Sequence, residues 1–184
     1  MKVLLVVLAV AIVVGMGFAG VYNGIVSKHE AITAKWAQVE NQLQRRNDLI
    51  PNLVSSVKGY ASHEKTVFEE VTKARSQWAN AGTVDEKVKA AGAVDSAISR
   101  LLLVAENYPT LKADQTFLKL MDELAGTENR IAVERMRYNE SVRDFNTTVR
   151  MFPGNIVAGM FGYKPATEYF KSSDAAKIVP EVKF

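Results

Sequence analysis

DQTFLKLMDELAGTENRIAVERMRYNESVRDFNTTVRMF, residues 114–152, sets Phe117, Leu124, Ile131, Tyr138, Phe145 and Phe152 at seven-residue intervals. Seven residues are close to two turns of α-helix, so these six side chains share one stripe of a long rod. Met121, Glu128, Arg135, Val142 and Val149 follow in a second register beside it. A seam this narrow is buried only against other helices, and the spacing predicts a helix over about 114–151, stopped by Pro153-Gly154. Ile25, Ile32, Trp36, Val39, Leu43, Ile50, Leu53, Val57 and Tyr60 form a comparable stripe in the first third of the chain. Its steps are multiples or parts of the same heptad, and Arg46 stands on it between Leu43 and Ile50. Pro51 lacks a backbone donor and should bend or restart this helix; a kinked but continuous helix over about 25–61 is expected.

Two shorter helices fit between the rods. One is expected from about His63 to Asn80, with Val67, Val71, Ala74 and Trp78 on its apolar face. Ala81-Gly82 closes it, and Thr83-Val-Asp-Glu86 is a capping box that opens the next. That helix carries Val84, Val88, Ala91, Val94, Ala97, Ile98, Leu101, Leu102 and Val104, and ends at Tyr108-Pro109. No stretch alternates with period two. The fold class is therefore all-α, with short connections favouring an antiparallel, up-down-up-down four-helix bundle over residues 25–152. This topology returns the chain to its starting end, so residues 153–184 should be membrane-proximal or contact a neighbouring subunit, a cap packed on the bundle's end being the plainer reading. Phe152, Phe161, Tyr163, Tyr169 and Phe170 are the interface candidates there.

From Val3 to Ser27 there is no charged residue. About 20 strongly apolar residues suffice to cross the ~30 Å hydrocarbon layer, so residues 1–24 read as a transmembrane anchor. A signal peptide cut after Ala19 is the competing reading, but the apolar run is longer than its usual hydrophobic region. Lys2 on one side and Lys28 and Lys35 on the other leave the orientation open. The expected location is the cell (inner) membrane, crossed once, with the lipid bilayer as first partner. Gly15, Ala19, Gly20 and Gly24 place small residues four apart, a spacing that lets membrane helices approach closely. The G-x-G-x-x-G match at Gly15, Gly17 and Gly20 lacks the strand and helix start that dinucleotide binding requires.

The formal charge is +3, from 23 basic and 20 acidic residues, with no basic stripe of the kind nucleic-acid partners need. Cysteine is absent, and His29 and His63 are the two histidines, so thiol chemistry is excluded and histidine chemistry is sparse. His63-Glu64 lacks the second histidine of a zinc motif, and neither histidine completes the E-x-x-H of a di-iron bundle. No catalytic, cofactor-binding or metal-binding set is expected. Arg46, Glu128 and Arg135 occupy core or near-core registers at mid-length of the two rods. They point to a structural polar layer, with Arg46–Glu128 as its first pair, that fixes helix register. Asn139-Glu-Ser and Asn146-Thr-Thr match the glycosylation sequon but fall inside a helix.

TAKWAQVENQLQRRNDLIPNLVSSVKGYASHE (33–64) resembles the signature of the LemA family, as do VFEEVTKAR (67–75), residues 106–153 and FGYKPATEYF (161–170). The resemblance runs in order over nearly the whole chain. Asn47 and Asp114 depart from it, standing where small residues or Asn are commoner. It implies a bacterial, membrane-anchored, mostly helical protein with no established biochemical activity. Some relatives are associated with building magnetosome membranes, and others accompany envelope proteases or stress genes. The combined expectation is a non-enzymatic, homo-oligomeric membrane scaffold. The alternative is an adaptor that recruits a soluble partner or protease through the bundle surface.

Overall fold

A computed structural model of the protein describes residues 1–167, 169 and 170, so Glu168 and residues 171–184 of the expected tail lie outside the described residues. The described part is all-α, without a strand. Its helices are α1 (Lys2–Tyr60), α2 (Lys65–Asn80), α3 (Val84–Glu106), α4 (Pro109–Lys112), α5 (Gln115–Arg150) and α6 (Gly154–Phe161). The described chain divides into two compact units, residues 30–138 in one and residues 1–29 with the described residues from 139 onward in the other.

In the 30–138 unit the core is built from the registers that the heptads define. Val39, Leu43, Ile50, Leu53 and Val57 of α1 are buried, as are Val71, Ala74 and Trp78 of α2. Ala91, Val94, Ile98 and Leu101 of α3, and Phe117, Leu124, Ile131 and Tyr138 of α5, complete it. Ion pairs join α1 to α3 and α5, and α2 to α3. Residues 61–64 and 81–83 make the short links that antiparallel neighbours need.

Local details of the helices have physical reasons. Pro51 lies within α1, which continues through it, in line with the expected continuous helix. Its ring faces outward while Ile50 and Leu53 on either side are buried, so packing holds the turn together despite the missing donor. On α2, Phe68 is buried and Val67 only partly, a rotation of the apolar face by one residue toward the larger side chain. Tyr60 is exposed, and its hydroxyl reaches Asp114 at 3.4 Å. Pro109 opens the four-residue α4 after α3 has ended, as its fixed φ and absent N–H suit a first helical turn.

Helix starts are capped as the sequence specifies. Thr83 Oγ1 accepts from the Glu86 N–H at 3.2 Å, and the Glu86 carboxylate accepts from the N–H groups of Thr83 and Gly82. Asp114 does the same for α5, accepting from the N–H groups of Thr116 and Phe117, both at 2.9 Å. These backbone donors hold both carboxyls below their ordinary pKa, Gly82 first for Glu86 and Phe117 first for Asp114. A depressed carboxylate contributes stability above its unfolded pKa and loses it as pH falls through the folded value. The midpoint of thermal unfolding should therefore fall between pH 5 and pH 3, and Glu86→Gln should flatten that decline. Circular dichroism melts across the pH series would check this.

Candidate functional site

Arg46 is 3% exposed, although its side chain carries a permanent charge. Its place on the α1 stripe aims the guanidinium inward between α3 and α5. Asp95 of α3 pairs with one terminal nitrogen, and Glu128 of α5 accepts from the other at 2.6 Å. Burial is the largest influence on Asp95 and, together with the nearby Glu128 charge, leaves its pKa raised against the lowering pull of Arg46 and of Arg135, one heptad beyond Glu128. Two cations and two anions therefore make a neutral cluster from three helices. Burying a guanidinium is unfavourable unless such partners are in place, so the cluster penalises any slip of register among these helices. A cleft of about 380 Å³ lies beside it, lined by Ile98, Leu102, Met121 and Leu124 as well as the charged groups.

The sequence reading named Arg46, Glu128 and Arg135, and the structure brings them together with a residue it missed. Asp95 follows Val94 on an alanine-rich helix. A lone acid beside the buried stripe was the available signal. Asp95 feels the charge of both arginines, and Glu128 pairs with Arg46. Among the described residues, no group of three or more His, Asp or Glu is placed to hold a metal.

The other unit is built around the first part of α1 and the last part of α5. Ile25, Val142, Phe145, Val149, Val157 and Ala158 are buried in it. Phe145 packs its ring against His29 and Tyr163, with centroids 5.4 and 6.3 Å apart. Gly154 follows the end of α5 so closely that a Cβ there would sit 2.0 Å from the Thr148 carbonyl oxygen. Only glycine permits that approach.

Beyond α6 the chain is held by two asparagines that the sequence presented only as sequon positions. Asn139 and Asn146 stand one heptad apart on α5 and so share a face. The Asn146 carboxamide donates to the Ala166 carbonyl at 2.8 Å and accepts from the Ala166 N–H at 2.7 Å. Asn139 makes the same pair of bonds with Phe170, both at 2.9 Å. Each side chain thus satisfies both polar groups of one backbone residue, and Asn146 also donates to the Tyr169 hydroxyl at 3.0 Å. The identity of residue type across a seven-residue step was the signal for this clamp. Asn139→Ala with Asn146→Ala should cost about 1–3 kcal/mol for each backbone pair left unsatisfied. Hydrogen exchange at Ala166 and Phe170 should accelerate accordingly, while exchange in α3 stays unchanged.

The remaining candidates fall in the same unit. Gly15, Ala19, Gly20 and Gly24 lie on α1, and a Cβ added at any of the three glycines meets nothing within 4 Å. The apolar stretch of α1 is long enough to cross a membrane, and none of it is buried. Phe152 is 79% exposed, because α5 ends at Arg150 and releases the sixth heptad position from the seam. Phe161 is half exposed, with its ring on Tyr22 at 4.5 Å.

The sequence is similar to those of several known proteins. Magnetosome protein MamQ 2 of Paramagnetospirillum magneticum is 29% identical over 180 residues, covering 84% of this chain and 66% of the relative. Magnetosome protein MamQ of Magnetospirillum gryphiswaldense is 27% identical over 190 residues, covering 88% and 70%. Protein LemA of Metamycoplasma hominis is 26% identical over 143 residues, covering 77% and 65%. The chain thus spans about two thirds of the length of these curated relatives. The LemA family model matches residues 35–184, most of the chain beyond the apolar stretch, and the chain therefore belongs to the LemA family.

Proposed function

We propose that this LemA-family chain is a non-enzymatic scaffold, anchored in the cell (inner) membrane by a single span and assembled from several copies of itself. The observation that carries the reading is the division of labour between charged and apolar groups. Among the described residues the most deeply buried charge, Arg46, is engaged in ion pairs between helices, whereas large apolar surface is left outward on α1 and beyond α5. Val3, Leu4, Leu5 and Val6 are each more than 60% exposed, as befits side chains that face lipid or another helix. The small residues from Gly15 to Gly24 give that surface a smooth face for close approach between copies. The relatives named as magnetosome proteins support a role at a membrane.

The alternative, an adaptor that recruits a soluble partner or a protease, draws support from an open groove of about 960 Å³ between α2 and α3, walled by Phe68, Thr72, Ala90 and Ala93. Light scattering on the full chain in mild detergent separates the two readings. A homogeneous species several times the 20.3 kDa protomer mass supports the scaffold. A monomer overturns it, and a monomer that captures another protein in pull-down favours the adaptor.

A further inference from the structure

The segment Met151–Tyr163 contains no charged residue and is bracketed by Arg150 and Lys164. Within it, α6 buries Gly154, Val157 and Ala158 on one side. Outward it shows Ile156 (52% exposed), Met160 (68%) and Phe161 (52%), which Met151 (60%) and Phe152 (79%) extend at its start. Three large apolar side chains on a short helix, and two more in the corner that leads into it, are thus left outward while the helix buries its other side. A patch of this kind needs a partner.

Contacts with α1 give the direction in which α6 runs. At its start, Gly154 lies on Thr148, whose hydroxyl accepts from the Lys28 ammonium at 2.7 Å. Near its end, the Phe161 ring meets Tyr22 at 4.5 Å and Phe18 at 6.2 Å. Lys28 is the first charge after the apolar run of α1, and Phe18 lies ten residues inside that run. At 1.5 Å per residue these landmarks are about 15 Å apart along α1, and α6 itself is roughly 12 Å long. It therefore descends from the level of the first lysine into the level of the uncharged span. Gly162, at φ 76°, reverses the chain there, and Tyr163 returns to His29.

We infer that α6 and the Met151–Phe152 corner form a second membrane contact, inserted from the interface into the leaflet that the end of the α1 span occupies. The inference rests on α1 being membrane-embedded and adds a lipid-binding surface to it. Tyr22 lies nearer the lysine, on the side where tyrosine rings favour the interface, while Phe18 and Phe161 extend the contact toward the hydrocarbon. Arg150, Lys164 and Lys28 flank the apolar segment with cations, which suits anionic headgroups. The partner is thus a phospholipid bilayer with anionic lipid.

Because the chain has no cysteine, single cysteines can be placed in the full-length protein and labelled with an environment-sensitive fluorophore. Met160→Cys, Ile156→Cys and Phe152→Cys would be examined in vesicles of phosphatidylcholine and phosphatidylglycerol, with Lys89→Cys on α3 as the aqueous reference and Val10→Cys in the span. The expected result is at least twofold stronger quenching of the first three labels by shallow nitroxide lipids than of the Lys89 label, with at least twofold weaker quenching by iodide. Iodide quenching equal to that at Lys89 overturns the inference. Shielding from both quenchers also overturns it, and assigns the patch to a second copy of the chain. The Val10 label must meet deep nitroxide lipids. If it does not, the membrane anchor itself fails, whereas lipid at Val10 with water at Met160 sinks only the role of α6.

Discussion

Substituting both acids that face Arg46, in the double variant Asp95→Asn with Glu128→Gln, should destabilise the 30–138 unit by about 3 kcal/mol. That is the lower end of the ~3–5 kcal/mol that follows when a buried charge loses its partner. Asp95 and Glu128 are 38% and 54% exposed, so part of their attraction to Arg46 is already weakened by water. Arg46 has no such recourse, being 3% exposed with its Nε atom unpartnered. The reverse experiment should be milder. Arg46→Met keeps an unbranched stem in the same space and leaves two acids that can turn toward solvent, at about 1 kcal/mol. Denaturant unfolding of the full chain in detergent would rank the two variants. If Arg46→Met proved the more damaging, the layer would be held by packing around the arginine stem and not by its charge.

Phe145→Ala should have the largest effect in the other unit, about 3–5 kcal/mol. Phe145 is 1% exposed and packs on His29 and Tyr163, so alanine would leave a cavity bordered by α1 and the segment after α6. The loss should appear as a lower unfolding midpoint and as faster proteolysis near Tyr163. Phe145→Leu, which refills most of the space, should recover more than half of the lost stability. An alanine variant with wild-type stability would mean that the ring contacts are incidental.

These two residues show which parts of the structure the sequence could convey. Phe145 belongs to a heptad series, and its burial follows from the repeat together with Phe117, Leu124, Ile131 and Tyr138. The series loses its meaning at Phe152, where the helix carrying it has ended. Arg46 was conspicuous because it interrupts an apolar stripe, and so was the need for acids opposite it. Asp95 was harder to find. It stands next to the buried stripe of α3, and only the approach of α1 makes its position significant. The asparagine clamp was harder still, since Asn139 and Asn146 act on backbone atoms of Ala166 and Phe170, and no side-chain pattern in those partners announces the contact. A polar side chain that binds main chain has no complementary letter in the sequence. The short α6 was hidden for a related reason, because its eight residues carry too few turns to establish a period.

The clamp and the arginine layer also differ in the forces that hold them. The asparagine carboxamides bear no net charge, so mobile counterions have little to screen and protons little to titrate. The Arg46 cluster is made of full charges on partly wetted acids, and concentrated electrolyte will weaken it. Raising ionic strength should therefore loosen the register of α1, α3 and α5 while the fastening of the chain beyond α6 is left intact. One polypeptide thus carries a salt-tolerant lock beside a salt-sensitive one.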